Sequence, residues 1–210
     1  MLHAVLAEFL AIVVLGYLLG SCPWGYWLVR GFRDEDVREV GSGNIGISNV
    51  WRRYGWTLGV PLVFLDFGKG FVPALLGVHL VSPTCGLVAG AAAMIGHARP
   101  LFLGFERGGK MIATGGGVMF AVAPLAAATG LAIWLVIFVL LGYASVASLS
   151  TAVCVPFLTW AYGYPTEVTA FTVAALVVVL YLHRANLGRL RRGREHRSSI
   201  AVLPRLRLQR

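Results

Sequence analysis

The chain has 210 residues, of which 58% are hydrophobic and only 13% charged. A soluble domain carries about 25% charged residues, so this composition excludes a water-covered globule of the same size. The net charge of +9 does not indicate nucleic-acid binding, because eight of the 18 basic residues cluster between Arg184 and Arg207. Most of the others border apolar segments, and a basic margin facing anionic lipid accounts for the pattern.

A bilayer core of about 30 Å needs roughly 20 apolar residues per helix. Seven segments qualify, at about 4–29, 54–80, 83–98, 111–128, 130–146, 148–163 and 165–183. They are too long and continuous for barrel strands, so the expected fold is all-α, an integral membrane protein with seven transmembrane helices. The first segment lacks a basic start and a small-residue cleavage site, and it reads as a retained span. The turns near Pro83, Pro124–Gly130 and Tyr162–Thr166 carry no Lys or Arg, whereas the loops near 30–53 and 99–110 and the end from Arg184 carry nearly all of them. The positive-inside rule then puts the N-terminus outside and the C-terminus in the cytoplasm. The organisation expected is one seven-helix domain over 1–193 and a basic cytoplasmic tail over 194–210. Cys22, Cys85 and Cys154 are widely spaced and fit packing positions, and no metal-ligand cluster or nucleophile signature is present.

Four polar strings interrupt the apolar background. The first runs from Gly41 to Arg53 and contains Ser42, Gly43, Asn44, Gly46, Ser48, Asn49 and Arg52. Glycines let backbone amides approach an anion, Ser and Asn add hydrogen bonds, and Arg52 offers a bidentate fork to phosphate. The string formally contains GxGxxG, but it follows a membrane span and not a strand of a soluble βαβ unit, so a dinucleotide site is not indicated. A flexible interfacial loop is the plain alternative.

The second string places Asp66 and Lys69 inside an apolar span. Three residues apart on a helix, they face the same way, either as a structural ion pair or with Lys69 reaching a ligand. The third runs from Gly96-His97 through Pro100 to Gly108-Gly109-Lys110 and Thr114. Gly104 to Lys110 fits the opening of a Walker A loop, but Met111 stands where Ser or Thr would hold magnesium, which excludes that reading. A GGK turn opening a helix still suits an anion through free amides, the helix dipole and an ammonium. The fourth, at the end of the last span, carries His183 and Asn186 on one helical face. Ser145 and Ser148 belong to the same membrane side, where serine pairs also serve as interhelical hydrogen-bond glue.

These strings, in order and with compatible spacing over nearly the whole chain, resemble the PlsY-type family of bacterial acyl-phosphate:glycerol-3-phosphate acyltransferases. That family's patterns are SxNxGATNxxR, DxxKGxxP, GHxxPxFLxFKGGKGVAT and HRxNIxRL. The resemblance implies a multi-pass enzyme of the bacterial cytoplasmic membrane, with its site on the cytoplasmic side. It would transfer an acyl group from acyl phosphate to the 1-position of glycerol 3-phosphate, giving lysophosphatidic acid and phosphate for phospholipid biosynthesis. No cofactor, metal or nucleic acid is implied; the partners are the two substrates and membrane lipid. Ser42, Arg52 and Lys110 would be catalytic. Gly43, Asn44, Gly46, Ser48, Asn49, Lys69, Gly108, Gly109, Thr114, Ser145, Ser148, His183 and Asn186 would bind substrate.

The chain departs from the family where GATN becomes Gly46-Ile47-Ser48-Asn49 and where the turn reads Phe105-Glu106-Arg107-Gly108-Gly109-Lys110-Met111. One residue is added there and the final glycine is lost. If that glycine needs a positive φ, methionine is strained, and Glu106 brings a negative charge toward an anion site. A catalytically weakened paralogue and a transporter of a small phosphate metabolite are the competing readings. The latter would want polar groups at the bilayer midplane, whereas here they gather at one face.

Overall fold

The structure is a computed structural model that describes residues 2–198. Every element among the described residues is helical: α1 (Leu2–Ser21), α2 (Trp24–Arg33), α3 (Ile47–Tyr54), α4 (Trp56–Leu80), α5 (Pro83–Ala98), a 3₁₀ turn at Leu101–Leu103, α6 (Ile112–Val122), α7 (Pro124–Leu141), α8 (Ala144–Ala161), α9 (Thr166–Leu182) and α10 (Arg184–Arg191). Five helical segments are long and apolar enough to cross a membrane. A sixth is reached if α9 and α10, bent by 56° at their junction, count as one. The segment expected at 111–128 is instead the 11-residue α6, about 17 Å at 1.5 Å per residue and short of the bilayer core. Pro124 and the turn at Ala123 cut it off from α7.

The chain divides into two compact units at Val122 and Ala123. In the first, glycines allow helix backbones to touch, which is how helices associate when lipid is as apolar as leucine. A side chain at Gly20 would collide with the backbone of Ala93, at Gly70 with that of Thr114, and at Gly117 with that of Phe67. Together these seat α1 on α5 and α4 on α6. Pro23 interrupts the first apolar segment between α1 and α2. The Cys22 carbonyl at that break accepts a hydrogen bond from Lys69 Nζ at 3.1 Å, and the same ammonium pairs with Asp66 at 2.9 Å. The intrahelical pair is buried, so each charge depends on the other.

In the second unit, Trp134 Nε1 on α7 donates to Ser148 Oγ on α8, and Gly130 lies against Thr151 and Val155. Thr159, Thr169 and Thr172 form a hydroxyl chain between α8 and α9. The segment expected as a basic tail begins with two hydrogen bonds to the end of α7. Ser198 donates its backbone N–H to the Gly142 carbonyl, and Arg197 Nε donates to that of Leu141. The remainder of that tail, 199–210, lies outside the described residues.

The Asp66–Lys69 pair yields a stability prediction. Asp66→Asn strands a buried ammonium and lowers stability by about 3–5 kcal/mol. Asp66→Asn combined with Lys69→Met recovers most of that loss, as measured by thermal unfolding in detergent.

Candidate active site

In the first unit the polar loop is built on one carboxamide. Asn49, in the first turn of α3, is 2% exposed. Its Oδ1 accepts from the Ser42 backbone N–H at 2.9 Å and from Arg52 Nη2 at 3.4 Å. Its Nδ2 donates to the carbonyls of Val37 and Val40 at 3.3 and 3.0 Å. A carboxamide offers two donors and two acceptor sites, and all four are used. Asn49, expected to bind substrate, is therefore the residue that shapes the loop and brings Ser42 and Arg52 to a common point. Gly41 must be glycine here: its φ is +62°, and an added Cβ would run into Asn49 Oδ1. Ser42, Ser48 and Arg52 stay exposed around this frame, and Gly43, with φ of +66°, turns the chain toward α3. Gly46 caps α3 with extended backbone while its N–H donates to Asn44 Oδ1.

The other end of Asn44 reaches the GGK turn, where Nδ2 donates to the Gly108 carbonyl at 2.9 Å. The turn itself differs from expectation in one respect. The N–H groups of Gly108 and Gly109 are not aimed at an anion; they donate to the carbonyls of Ala98 and His97 at 3.0 and 2.9 Å. Gly109 lies so close to the His97 ring that any Cβ would overlap it. The two glycines are thus needed for close approach to α5. The anion-binding groups expected of this turn thus reduce to the Lys110 ammonium and the first turn of α6, and exclude the two glycine amides.

Met111 has a φ of +68°, the left-handed backbone that costs an L-residue roughly 1–2 kcal/mol. The side chain is buried, which is worth about 1.5–3 kcal/mol, so its packing offsets the strain. Phe105, at φ +61°, carries the second such turn. Glu106 does not face the anion-binding loop alone: its Oε2 pairs with Arg38 Nη1 at 2.6 Å.

Two residues expected among the substrate contacts lie elsewhere. Lys69 is buried with Asp66 and the Cys22 carbonyl, and Thr114 is fully buried beside Gly70. Both are held inside the helix packing, away from the exposed loop residues. A hollow of about 530 Å³ beside the loop is lined by Asp34, Glu35, Asp36 and Glu39 with Arg30. Its charge is of the wrong sign for phosphate.

In the second unit the polar residues meet on a carboxylate the sequence did not single out. Glu195 is 6% exposed. Its Oε1 accepts from Ser145 Oγ at 2.9 Å and Asn186 Nδ2 at 2.7 Å, and its Oε2 from Arg189 Nε at 2.7 Å. Burial pushes its pKa up, but the hydrogen bonds from Asn186, Arg189 and Ser145 prevail and hold it below the ordinary value. His183 sits at the bend between α9 and α10, with Nδ1 2.9 Å from the Val179 carbonyl. Donation from Nδ1 fixes the ring and its tautomer. Ser148 is engaged by Trp134. The one signal for Glu195 in the sequence is an isolated acid amid a run of arginines, which gave no hint that it turns inward.

The comparisons with known proteins agree with these motifs. The family model described as glycerol-3-phosphate acyltransferase matches residues 10–193. The chain belongs to this family. A glycerol-3-phosphate acyltransferase of Aquifex aeolicus (strain VF5) is 40% identical over 190 residues, spanning 90% of this chain and 98% of the relative. One from Roseiflexus sp. (strain RS-1) is 42% identical over 193 residues, spanning 90% and 94%. The crystal structure of PlsY, an integral membrane glycerol 3-phosphate acyltransferase, in its glycerol 3-phosphate form matches with a TM-score of 0.86 at 39% identity, covering 91% of this chain and 96% of that one. Its lysophosphatidic acid form matches with a TM-score of 0.84 at 38% identity. The chain is accordingly a multi-pass membrane protein and an acyltransferase of this family.

The Glu195 cluster has a definite pH signature. A carboxylate whose folded pKa is depressed stabilises the fold above its unfolded pKa, and that stability is lost as pH falls through the folded value. Thermal stability of the protein therefore declines below about pH 4. Glu195→Gln flattens that decline, measured as melting temperature against pH in a single detergent.

Proposed function

We propose that the protein transfers an acyl group from acyl phosphate to the 1-hydroxyl of glycerol 3-phosphate. The reaction releases lysophosphatidic acid and inorganic phosphate at the cytoplasmic face of a bacterial cytoplasmic membrane. The observation that carries this reading is the Asn49-centred loop, which gathers Ser42 and Arg52 and is tied by Asn44 to the turn bearing Lys110. Both substrates are phosphate monoesters or mixed anhydrides, and exposed cationic and hydroxyl groups on a rigid frame suit them. Family membership supports the acceptor. The resemblance to the acyl-phosphate-dependent family suggests the donor, and the phosphate-binding groups of the loop are compatible with it.

In this mechanism the 1-hydroxyl oxygen attacks the acyl carbonyl carbon, and the carbon–oxygen bond to phosphate breaks. The hydroxyl proton passes to a phosphate oxygen of the donor, which departs as inorganic phosphate. Arg52 and Lys110 stabilise the charge that builds up on the carbonyl and leaving group, and Ser42 orients the donor. Within the second unit, Glu195 holds Ser145 and Asn186 in their rotamers. The basic residues that border the polar loops support a cytoplasmic placement of the site by the positive-inside rule, where both substrates are soluble or membrane-borne.

Purified protein in lipid, given palmitoyl phosphate and glycerol 3-phosphate, forms lysophosphatidic acid and phosphate in equal amounts, and forms none when palmitoyl-CoA replaces the donor. Lys110→Ala lowers kcat by about 10²- to 10³-fold. Absence of product from the parent protein, or full activity in Lys110→Ala, contradicts the reading.

A further inference from the structure

Loop 34–46 and the turn 104–111 approach each other in the first unit at two points. One is the Asn44 bond to the Gly108 carbonyl. The other is an ion pair between Arg38 Nη1 and Glu106 Oε2 at 2.6 Å, spanning 68 residues of sequence.

Arg38 is well held on its own side. It forms a forked pair with Asp36, through Nε and Nη2, and its guanidinium lies 4.9 Å from the centroid of the Tyr26 ring. The Asp36 hydrogen bond and the flanking carboxylates hold the Arg38 pKa above its usual value, while the arginine holds Asp36 below its own. Arg38 is therefore held on its own side by Asp36 and Tyr26, and Glu106 is the more exposed partner of the pair.

The stretch around Glu106 is held locally by short-range bonds, Phe105 N–H to the Pro100 carbonyl and Arg99 Nη1 to the Phe105 carbonyl. The turn contains two non-glycine residues in left-handed backbone, Phe105 and Met111. Beyond the Leu103 carbonyl that accepts the Glu106 N–H, the Arg38 pair is what joins this outer part of the turn to the loop. The inner part, Gly108 and Gly109, is clamped on α5.

We infer that the Arg38–Glu106 pair is a charge-based brace that holds the turn 104–111, and with it Lys110, in register with the Ser42–Arg52 loop. Arg38 and Glu106 act as positioning residues for phosphate binding, an inference that rests on the acyl-transfer reading. The pair and the Asn44–Gly108 bond are the two points that tie the turn to the loop, and together they select one arrangement of the two. Substrate binds the braced form, so loss of the pair reduces the binding-competent fraction and raises KM by the inverse of that fraction, while kcat changes little. The Arg38 and Glu106 side chains are 34% and 61% exposed, so the interaction is modest and is screened by salt.

The test uses the full-length protein in lipid with Glu106→Gln, which keeps the shape and removes the charge, and Glu106→Asp as the conservative variant. At low salt Glu106→Gln raises KM for palmitoyl phosphate about three- to fivefold, with kcat within about twofold of the parent. Glu106→Asp recovers part of the loss. The KM ratio between Glu106→Gln and the parent falls toward one at about 0.5 M KCl, where the Debye length is only a few ångströms. A ratio of one at low salt overturns the inference, and so does a ratio that salt does not change, since that assigns Glu106 a packing role. Hydrogen exchange of backbone amides 105–107 gives a readout independent of turnover: it speeds up in Glu106→Gln while α5 is unchanged. Unchanged exchange at 105–107 overturns the brace. Faster exchange in a protein that forms no lysophosphatidic acid sustains the brace and overturns the acyl-transfer reading instead.

Discussion

The Asn49 carboxamide is the interaction on which the loop architecture depends. It is buried, and its four hydrogen-bonding positions are spent on Val37, Val40, Ser42 and Arg52. Without it, the thirteen-residue loop 34–46 between α2 and α3 would have backbone groups needing partners and no reason to present Ser42 beside Arg52. An internal ligand of this kind has a fixed cost and a fixed geometry: a buried amide must be fully bonded or it destabilises its surroundings. Gly41 and Gly43 follow from it, because only glycine lets the chain wrap the carboxamide with positive φ. Asn44 then extends the frame to the GGK turn. Rigid positioning of exposed cations on such a frame is the condition for binding phosphate strongly without closing a lid.

The same rule, that polar groups inside an apolar chain must find partners, accounts for the helical part. Lys69 neutralises Asp66 and covers the carbonyl exposed at the Pro23 break. The threonine chain in α8 and α9 and the Trp134–Ser148 bond do the equivalent in the second unit. Where no polar partner is available, glycine lets helix surfaces meet, and the packing of α1 on α5 and of α4 on α6 rests on it.

Much of this was legible from residues alone. Apolar runs announced the helices, since length and composition leave few alternatives in lipid. The four polar strings marked the loops that carry the candidate site, and the positive φ at Met111 was anticipated from the missing glycine. Three things were not legible. Helix α6 falls short of a full span because the break at Ala123 and Pro124 ends it, which hydropathy does not register. The Gly108 and Gly109 amides looked available in sequence, but availability depends on how closely α5 approaches, a tertiary fact. Asn49 and Glu195 were read as a substrate contact and as part of a charged tail, respectively. Whether a polar side chain faces a ligand or its own backbone is decided by chain path, and spacing alone does not encode it. Asp36 and Arg38 escaped notice for a related reason: two neighbouring opposite charges usually mean a solvated loop, and the link to Glu106 spans 68 residues.

The central claim is that this loop and turn form a site for a phosphate group. Calorimetric titration of the purified protein with glycerol 3-phosphate and with glycerol, under identical buffer and lipid, tests it most directly. The account predicts saturable heat with glycerol 3-phosphate that weakens as salt rises, and none with glycerol at the same concentrations. Equal binding of the two, or no binding of either, contradicts it.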